Sequence, residues 1–276
     1  MSELRAEPLT RPDQRELSLV TGTLRQLDYW WTLYLRTWRG GVVSSFLTPL
    51  FYVFAMGVIL GGFIEGDPNQ LDGATSYLVF VVPGLVASQT MSTAIGEVTY
   101  PVMGMIKWHR SYYAMLATPL SPVHLAAGTL IFTLFRIATT TAVFLVVLAP
   151  FGVFSTWWGA VLTFFVQLLL GMAFATLGYA FSVRVVTDEA YGVLFRLVIF
   201  PLFLFSGAFF PIENLGPVLE WAARLTPLWH GVDLSRMLTV NVIDWPLALL
   251  HVVVLTLLMV LGWFLSVSGL TKRLAD

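Results

Sequence analysis

Side chains that could carry out chemistry are sparse in this sequence, and their spacing matches no catalytic motif. The 276 residues contain four histidines (His109, His124, His230 and His251) and no cysteine, which excludes disulfides, thiol catalysis and thiolate metal sites. There is no Gly-x-x-x-x-Gly-Lys-Ser/Thr loop, no His-Glu-x-x-His pair and no Gly-x-Ser-x-Gly elbow. We therefore expect no enzymatic activity, no nucleotide site and no bound metal or cofactor on this chain.

Three charged residues lie inside otherwise apolar stretches: Glu97, Arg136 and Arg196. A charge within a membrane helix costs about 2.5–3.5 kcal/mol on insertion scales, so such a residue must face water or a partner. Each could contact an anionic substrate or a gate, or it could form a structural ion pair, for instance Glu97 with Arg136 or Arg184. We favour the ion pair for Arg136, and both readings stand for Arg196.

The stretch from Met105 to His124 is a short polar and aromatic interruption between two apolar runs. Its candidate contact residues are Lys107, Trp108, His109, Arg110, Tyr112, Tyr113 and the Thr118-Pro119 break. Exposed charge and aromatic rings, bounded by prolines, suit contact with a soluble partner. The segment is too short to form a domain of its own.

The elements around these residues are membrane-spanning helices. The chain is 57% hydrophobic and 11% charged, whereas soluble domains carry about 25% charged residues. We divide it into a polar tail at residues 1–20, an amphipathic helix at 21–39 and a permease domain at 40–276. The helix at 21–39 has Trp31, Tyr34 and Trp38 on one face and Arg36 on the other, which is typical of a helix lying in the membrane interface.

Apolar runs of the length needed to cross a bilayer predict six spans in an all-α fold. They cover residues 40–64, 74–100, 123–148, 157–183, 190–207 and 245–271. Between the last two, residues 208–244 predict two short amphipathic helices, near 215–225 and 228–238, that dip into the membrane face. Aromatic residues of the first span and of the fifth-span region either line an amphiphile pathway or simply pack; they are Phe51, Tyr52, Phe54, Phe203, Phe209 and Phe210, with Arg196 nearby.

Lysine and arginine counts orient the chain. Basic residues are concentrated in the N-terminal region, in Met105–His124, near Arg184 and at the C-terminus, which predicts that both termini and the polar stretch are cytoplasmic. This topology separates the four histidines between the two sides, so they are not expected to form one metal site. A net charge of −1 without long runs of like charge gives no reason to expect a nucleic-acid partner.

Three segments resemble the membrane subunit of type-2 ABC exporters, in the NodJ and daunorubicin-resistance permease branch. They are SYLVFVVPGLVA (76–87), YYAMLATPLSPVHLAAG (112–128) and FSGAFFPIENLGPVLEWAARLTPLWHGVDLSRML (205–238). The resemblance implies six spans, an interfacial N-terminal helix, a cytoplasmic coupling helix between spans two and three, and an outer re-entrant helix pair. It also implies that two permeases, in a homodimer, work with two copies of a separate ATPase, which holds ATP and magnesium.

The resemblance implies a bacterial inner-membrane exporter with a pathway lined mainly by spans one, two and five. It assigns ATPase coupling to the stretch from Lys107 to Pro119. The expected cargo is an amphiphile: a lipid-linked oligosaccharide, a glycolipid or a lipid. The alternatives are a polyketide-type drug efflux permease and, in a different class, a membrane scaffold that transports nothing.

Overall fold

The computed structural model describes residues 17–52, 54–55 and 74–275. This described part is helical and contains no strand. Four helices are long and apolar enough to cross a membrane: Tyr77–Trp108, Pro122–Phe151, Trp157–Ser182 and Trp245–Ala275. They correspond to predicted spans two, three, four and six, and they confirm the all-α membrane class.

Helix α1 is continuous from Leu19 to Tyr52, with no break at the predicted boundary between residues 39 and 40. It packs lengthwise on the span helix that begins at Pro122. Gly22 lies against His124, Gln26 against Gly128, and the Trp30 ring stacks on Phe132 at 5.4 Å. Because the contacts advance together along both helices, the two run in the same direction. One face of α1 carries small and aromatic residues that fit this neighbouring helix, and the position of residues 21–39 in the membrane interface stays a prediction. The rest of predicted span one, at residue 53 and residues 56–64, lies outside the described residues.

Four helices follow α1 along the chain. Helix α2 runs over Tyr77–Val98 and continues through Tyr100–Met103 into a π-helical turn at Gly104–Trp108; α3 is Ser111–Leu116, α4 is Pro122–Leu148 and α5 is Trp157–Ser182. Their fully buried contacts include Met91, Ile137 and Leu170. A serine before α2 and a threonine before α5 accept hydrogen bonds from the first turn, at Val79 and Gly159, and so fix where these helices begin.

The predicted fifth span is a shorter helix, α6. It consists of Glu189–Leu194, a π-helical turn at Phe195–Ile199 and Phe200–Phe205. Seventeen residues at 1.5 Å each give about 25 Å, less than the ~30 Å hydrocarbon thickness. This helix is therefore not among the candidate spans, and the six-span count stays a prediction.

The two short helices predicted between residues 208 and 244 are present. They are α7, Pro217–Arg224, and α8, Pro227–Val240, and the chain ends in α9, Trp245–Ala275. Thr226 begins α8 by accepting a hydrogen bond from the Trp229 amide at 3.3 Å, and Pro227 occupies the first helical position. Because this cap and this proline act within one helical turn, the positions of the two helices could be predicted from the sequence to within a few residues.

Candidate functional site

The polar stretch after α2 folds into an exposed corner of the molecule. The π-helical turn ends at Trp108, Arg110 adopts a left-handed conformation with φ of 51°, and α3 then starts in a new direction. Lys107, His109 and Arg110 are exposed, and Trp108 is 50% exposed. A charged and aromatic surface on a short element is suited to a protein contact rather than to lipid.

Three separate parts of the chain meet at this corner. The Lys107 Nζ lies 2.9 Å from Asp188 Oδ1 in the loop before α6, and the Tyr113 hydroxyl donates to the Arg273 carbonyl at 3.5 Å. The hydrogen bond from Lys107 lowers the pKa of the Asp188 carboxyl below its ordinary value. A cavity of about 510 Å³ opens between Ile106, Lys107, Arg110, Tyr113 and Arg273. We call Lys107, Arg110, Tyr113 and Arg273 the basic surface.

Tyr112 corrects the sequence-based prediction, because it is fully buried and cannot contribute to an exposed contact. Its hydroxyl lies 3.0 Å from Thr129 Oγ1 on α4, and the Tyr179 hydroxyl on α5 donates to it at 3.3 Å. Thr129 in turn donates to the Leu125 carbonyl at 2.9 Å. Burial raises the pKa of Tyr112, so the phenol is neutral. The side chain therefore anchors α3 to two membrane helices instead of binding a partner.

The turn that follows α3 remains available for contact. Thr118 is exposed and donates to the Met115 carbonyl at 2.6 Å, and Pro119 is half-buried. Tyr113, directly after the buried tyrosine, is 40% exposed. Two adjacent residues of the same type thus have opposite surroundings.

The ion pair favoured for Arg136 is present. Its Nε donates to Glu97 Oε1 at 2.9 Å, joining α4 to α2, and its guanidinium lies 5.4 Å from the centre of the Tyr34 ring on α1. Trp31 packs edge-on against Phe135, whereas Arg36 and Trp38 are exposed. Arg196 is exposed on α6 and makes no ion pair within the described part of the chain.

The structure does not bring the candidate pathway aromatics into one site. Phe51 and Phe54 are 66% and 58% exposed. Tyr52 and Phe209 pack against the same cluster around Phe80 and Phe144, while Phe203 and Phe209 meet at 4.9 Å. Phe210 is half-buried. Their role in a pathway remains a prediction.

A buried polar cluster joins α8 to α9, and sequence reasoning missed it. His230 Nδ1 lies 2.7 Å from His251 Nδ1, and His251 Nε2 lies 2.9 Å from Asp233 Oδ2. If His251 donates through Nε2 to the carboxylate, its Nδ1 must accept, and His230 is the donor. Burial first, and the neighbouring His251 second, lower the pKa of His230 to about 4. The i, i+3 spacing of His230 and Asp233 indicates that the two side chains share one face of α8. The sequence does not show that His251, on α9, joins them.

Comparison with known proteins gives a consistent result. Residues 27–240 match the protein family described as ABC-2 type transporter. Nodulation protein J of Rhizobium leguminosarum bv. trifolii is 32% identical over 263 residues, which cover 93% of this chain and 97% of that protein. Nodulation protein J of Neorhizobium galegae is 30% identical over 94% of this chain and 97% of its own length. The inner membrane transport permease YadH of Escherichia coli K12 is 26% identical over 78% of this chain and 81% of its own length.

Proposed function

This chain belongs to the ABC-2 type transporter family, and on that premise we propose that it is the membrane-spanning permease subunit of an ATP-driven exporter. The sequence contains no Walker motif, so ATP hydrolysis falls to a separate ABC ATPase. The observation that carries the proposal is the basic surface, where exposed cations and aromatic rings surround an open cavity. The proposed assembly is a permease homodimer with two ATPase copies in a bacterial inner membrane, with both termini on the ATPase side.

The basic surface has unused charge for a partner. Lys107 is paired with Asp188, but Arg110 and Arg273 make no ion pair with any described residue. Two arginines beside a cavity favour carboxylates presented by the ATPase, because a guanidinium binds a carboxylate through parallel hydrogen bonds. Trp108 and Tyr113 add partly exposed rings, the residue types that are enriched at protein interfaces.

The buried tyrosine gives this contact a mechanical consequence. When ATP closes the two ATPase subunits, they push on α3, and Tyr112 passes the displacement to Thr129 on α4 and Tyr179 on α5. We propose that this motion switches a cleft between two permease copies from inner-leaflet access to outward access. An amphiphile is the proposed cargo: a lipid-linked oligosaccharide, a glycolipid or a lipid. The outer face of α6, with Leu197 and Phe200 exposed beside Arg196, suits a molecule with an apolar part and an anionic part.

Co-purification with a candidate ABC ATPase from the same organism tests the proposal. Arg110→Glu and Arg273→Glu, together, should release the ATPase and abolish any stimulation of ATP hydrolysis by the permease. Arg39→Glu is the matched control, because Arg39 is also an arginine without an ion pair to a described residue, and it is exposed on α1, outside the basic surface. Retention of the ATPase by the double variant would argue against docking at this surface. If no ATPase binds the unmodified permease either, the scaffold alternative is favoured.

Drug efflux remains the alternative cargo class, and the same complex distinguishes it. Stimulation of ATP hydrolysis by lipids and glycolipids supports the amphiphile. Stimulation by polyketide-type drugs alone supports the efflux permease.

A further inference from the structure

A second polar site lies apart from the basic surface, where α1, α2 and α4 meet. A cavity of about 250 Å³ opens here, and the Glu97–Arg136 ion pair forms part of its wall. Aromatic rings of Tyr34, Trp38 and Phe132 line other parts of it. The side chains of Arg136 and Glu97 are 19% and 23% exposed, so both remain accessible from the cavity.

The ion pair leaves hydrogen-bonding capacity unused. Arginine and carboxylate often pair through two parallel bonds, but here a single bond joins Arg136 Nε to Glu97 Oε1. The two terminal nitrogens of Arg136 and the second oxygen of Glu97 have no hydrogen-bond partner among residues 17–52, 54–55 and 74–275. The cavity therefore presents both a cationic donor and an anionic acceptor.

The depth of the cavity in the membrane can be inferred from residue positions along the helices that line it. From Tyr77 to Glu97, α2 advances 20 residues, about 30 Å, which equals the thickness of the hydrocarbon layer. On α1, Gly41 lies against the Arg136 guanidinium, and Arg36 and Arg39 are exposed within the two preceding turns. Arginine and tryptophan concentrate at the boundary between hydrocarbon and head groups. On α1 and α2 these distances place the mouth of the cavity near head-group level; on α4, Arg136 lies 14 residues, about 21 Å, beyond Pro122, so the ion pair lies deeper than the helix ends.

We propose that this cavity binds the zwitterionic head group of a membrane phospholipid bearing a phosphate and a primary amine. The phosphate accepts hydrogen bonds from the terminal nitrogens of Arg136, and the ammonium pairs with the free oxygen of Glu97. The Trp38 ring in the cavity wall favours the same ammonium through cation–π attraction, whereas the Tyr34 ring already faces the Arg136 guanidinium. The volume is below the usual range for a whole drug-sized ligand, so only the head group enters and the acyl chains stay in the bilayer. This inference does not depend on the ATPase partner or on the exported cargo.

Native mass spectrometry of the purified permease, delipidated and then titrated with defined lipids, tests the inference. The probes are phosphatidylethanolamine, anionic phosphatidylglycerol, phosphatidylcholine, an uncharged galactolipid and soluble glycerophosphoethanolamine. We expect phosphatidylethanolamine to bind most tightly and the soluble head group only weakly. Arg136→Gln should weaken binding about tenfold or more, since it removes a charge-assisted contact. Arg39→Gln is the control, because it removes a charge that is exposed but does not line the cavity.

Glu97→Gln keeps the inference testable if Arg136→Gln fails to fold. It keeps the size of the side chain and removes only the charge, so it should reduce the preference for phosphatidylethanolamine over phosphatidylglycerol. Equal binding by both variants and the unmodified chain would overturn the proposal. So would a preference for phosphatidylglycerol or for the galactolipid in the unmodified chain, or equally tight binding of the soluble head group.

Discussion

Tyr112 and Tyr113 form a matched pair for testing how α3 is held. They are adjacent and identical in type, yet Tyr112 is fully buried and Tyr113 is 40% exposed. Replacing each one separately by aspartate separates structural support from partner contact. Tyr112→Phe gives a third, milder variant that removes only the hydroxyl.

The structure gives the expected magnitudes. Tyr112→Asp buries a carboxylate without a cationic partner among its described contacts, which costs several kcal/mol and should prevent stable folding. Tyr112→Phe leaves the Tyr179 hydroxyl without its acceptor, while Thr129 keeps its bond to the Leu125 carbonyl. The cost should be about 1–2 kcal/mol. Tyr113→Asp should change the free energy of unfolding by less than about 0.5 kcal/mol, as is usual for surface substitutions.

Thermal unfolding in detergent, followed by tryptophan fluorescence, measures stability, and co-purification measures ATPase binding. We expect Tyr113→Asp to melt like the unmodified chain but to bind the ATPase more weakly. Tyr112→Phe should melt lower and still bind the ATPase. Equal melting of Tyr112→Phe and the unmodified chain would refute the anchoring role. Equal loss of stability in both aspartate variants would refute the assignment of Tyr113 to the surface.

Two further predictions concern packing and pH. In Gly84→Ala, the added methyl group meets the backbone of Ala208, so we expect a lower melting temperature; Gly96→Ala, on the same helix with open space around it, should be neutral or slightly stabilising. His230 has a folded pKa of about 4 against an ordinary 6.5, so the unfolded chain binds more protons between these values, and stability should fall as the pH drops through that window. At pH 5 the free energy of unfolding should be about 2 kcal/mol lower than at neutral pH. Thermal unfolding at several pH values checks this. His230→Gln should remove the pH dependence, whereas His109→Gln, at an exposed histidine, should retain it.

Features that depend on local spacing were predictable from the sequence. The apolar runs located four of the spans, and Thr226-Pro227 located the start of α8, because a cap and an N-terminal proline act within one turn. The Glu97–Arg136 pair was also anticipated, since two opposite charges in neighbouring spans have few other partners.

Features that depend on the rotation of a helix about its axis, or on contacts between residues far apart in the sequence, were not predictable. Which of Tyr112 and Tyr113 faces the interior depends on the direction in which α3 leaves the turn at the left-handed residue Arg110. The His230–His251 contact joins residues 21 positions apart on two helices, and neither helix alone signals it. The lengthwise packing of α1 likewise requires the partner surface of α4, which the periodicity of α1 does not contain.

The anchoring of α3 determines how it can move. A helix of six residues is not stable alone, so its position depends on tertiary contacts. Pulling the Tyr112 ring out of the core would expose about 150–250 Å² of largely apolar surface, or about 4–6 kcal/mol, before its two hydrogen bonds are counted. Moving α3 together with the adjoining ends of α4 and α5 keeps these contacts intact. A force applied at the basic surface is therefore expected to tilt these helices as one unit, as the proposed switch of access requires.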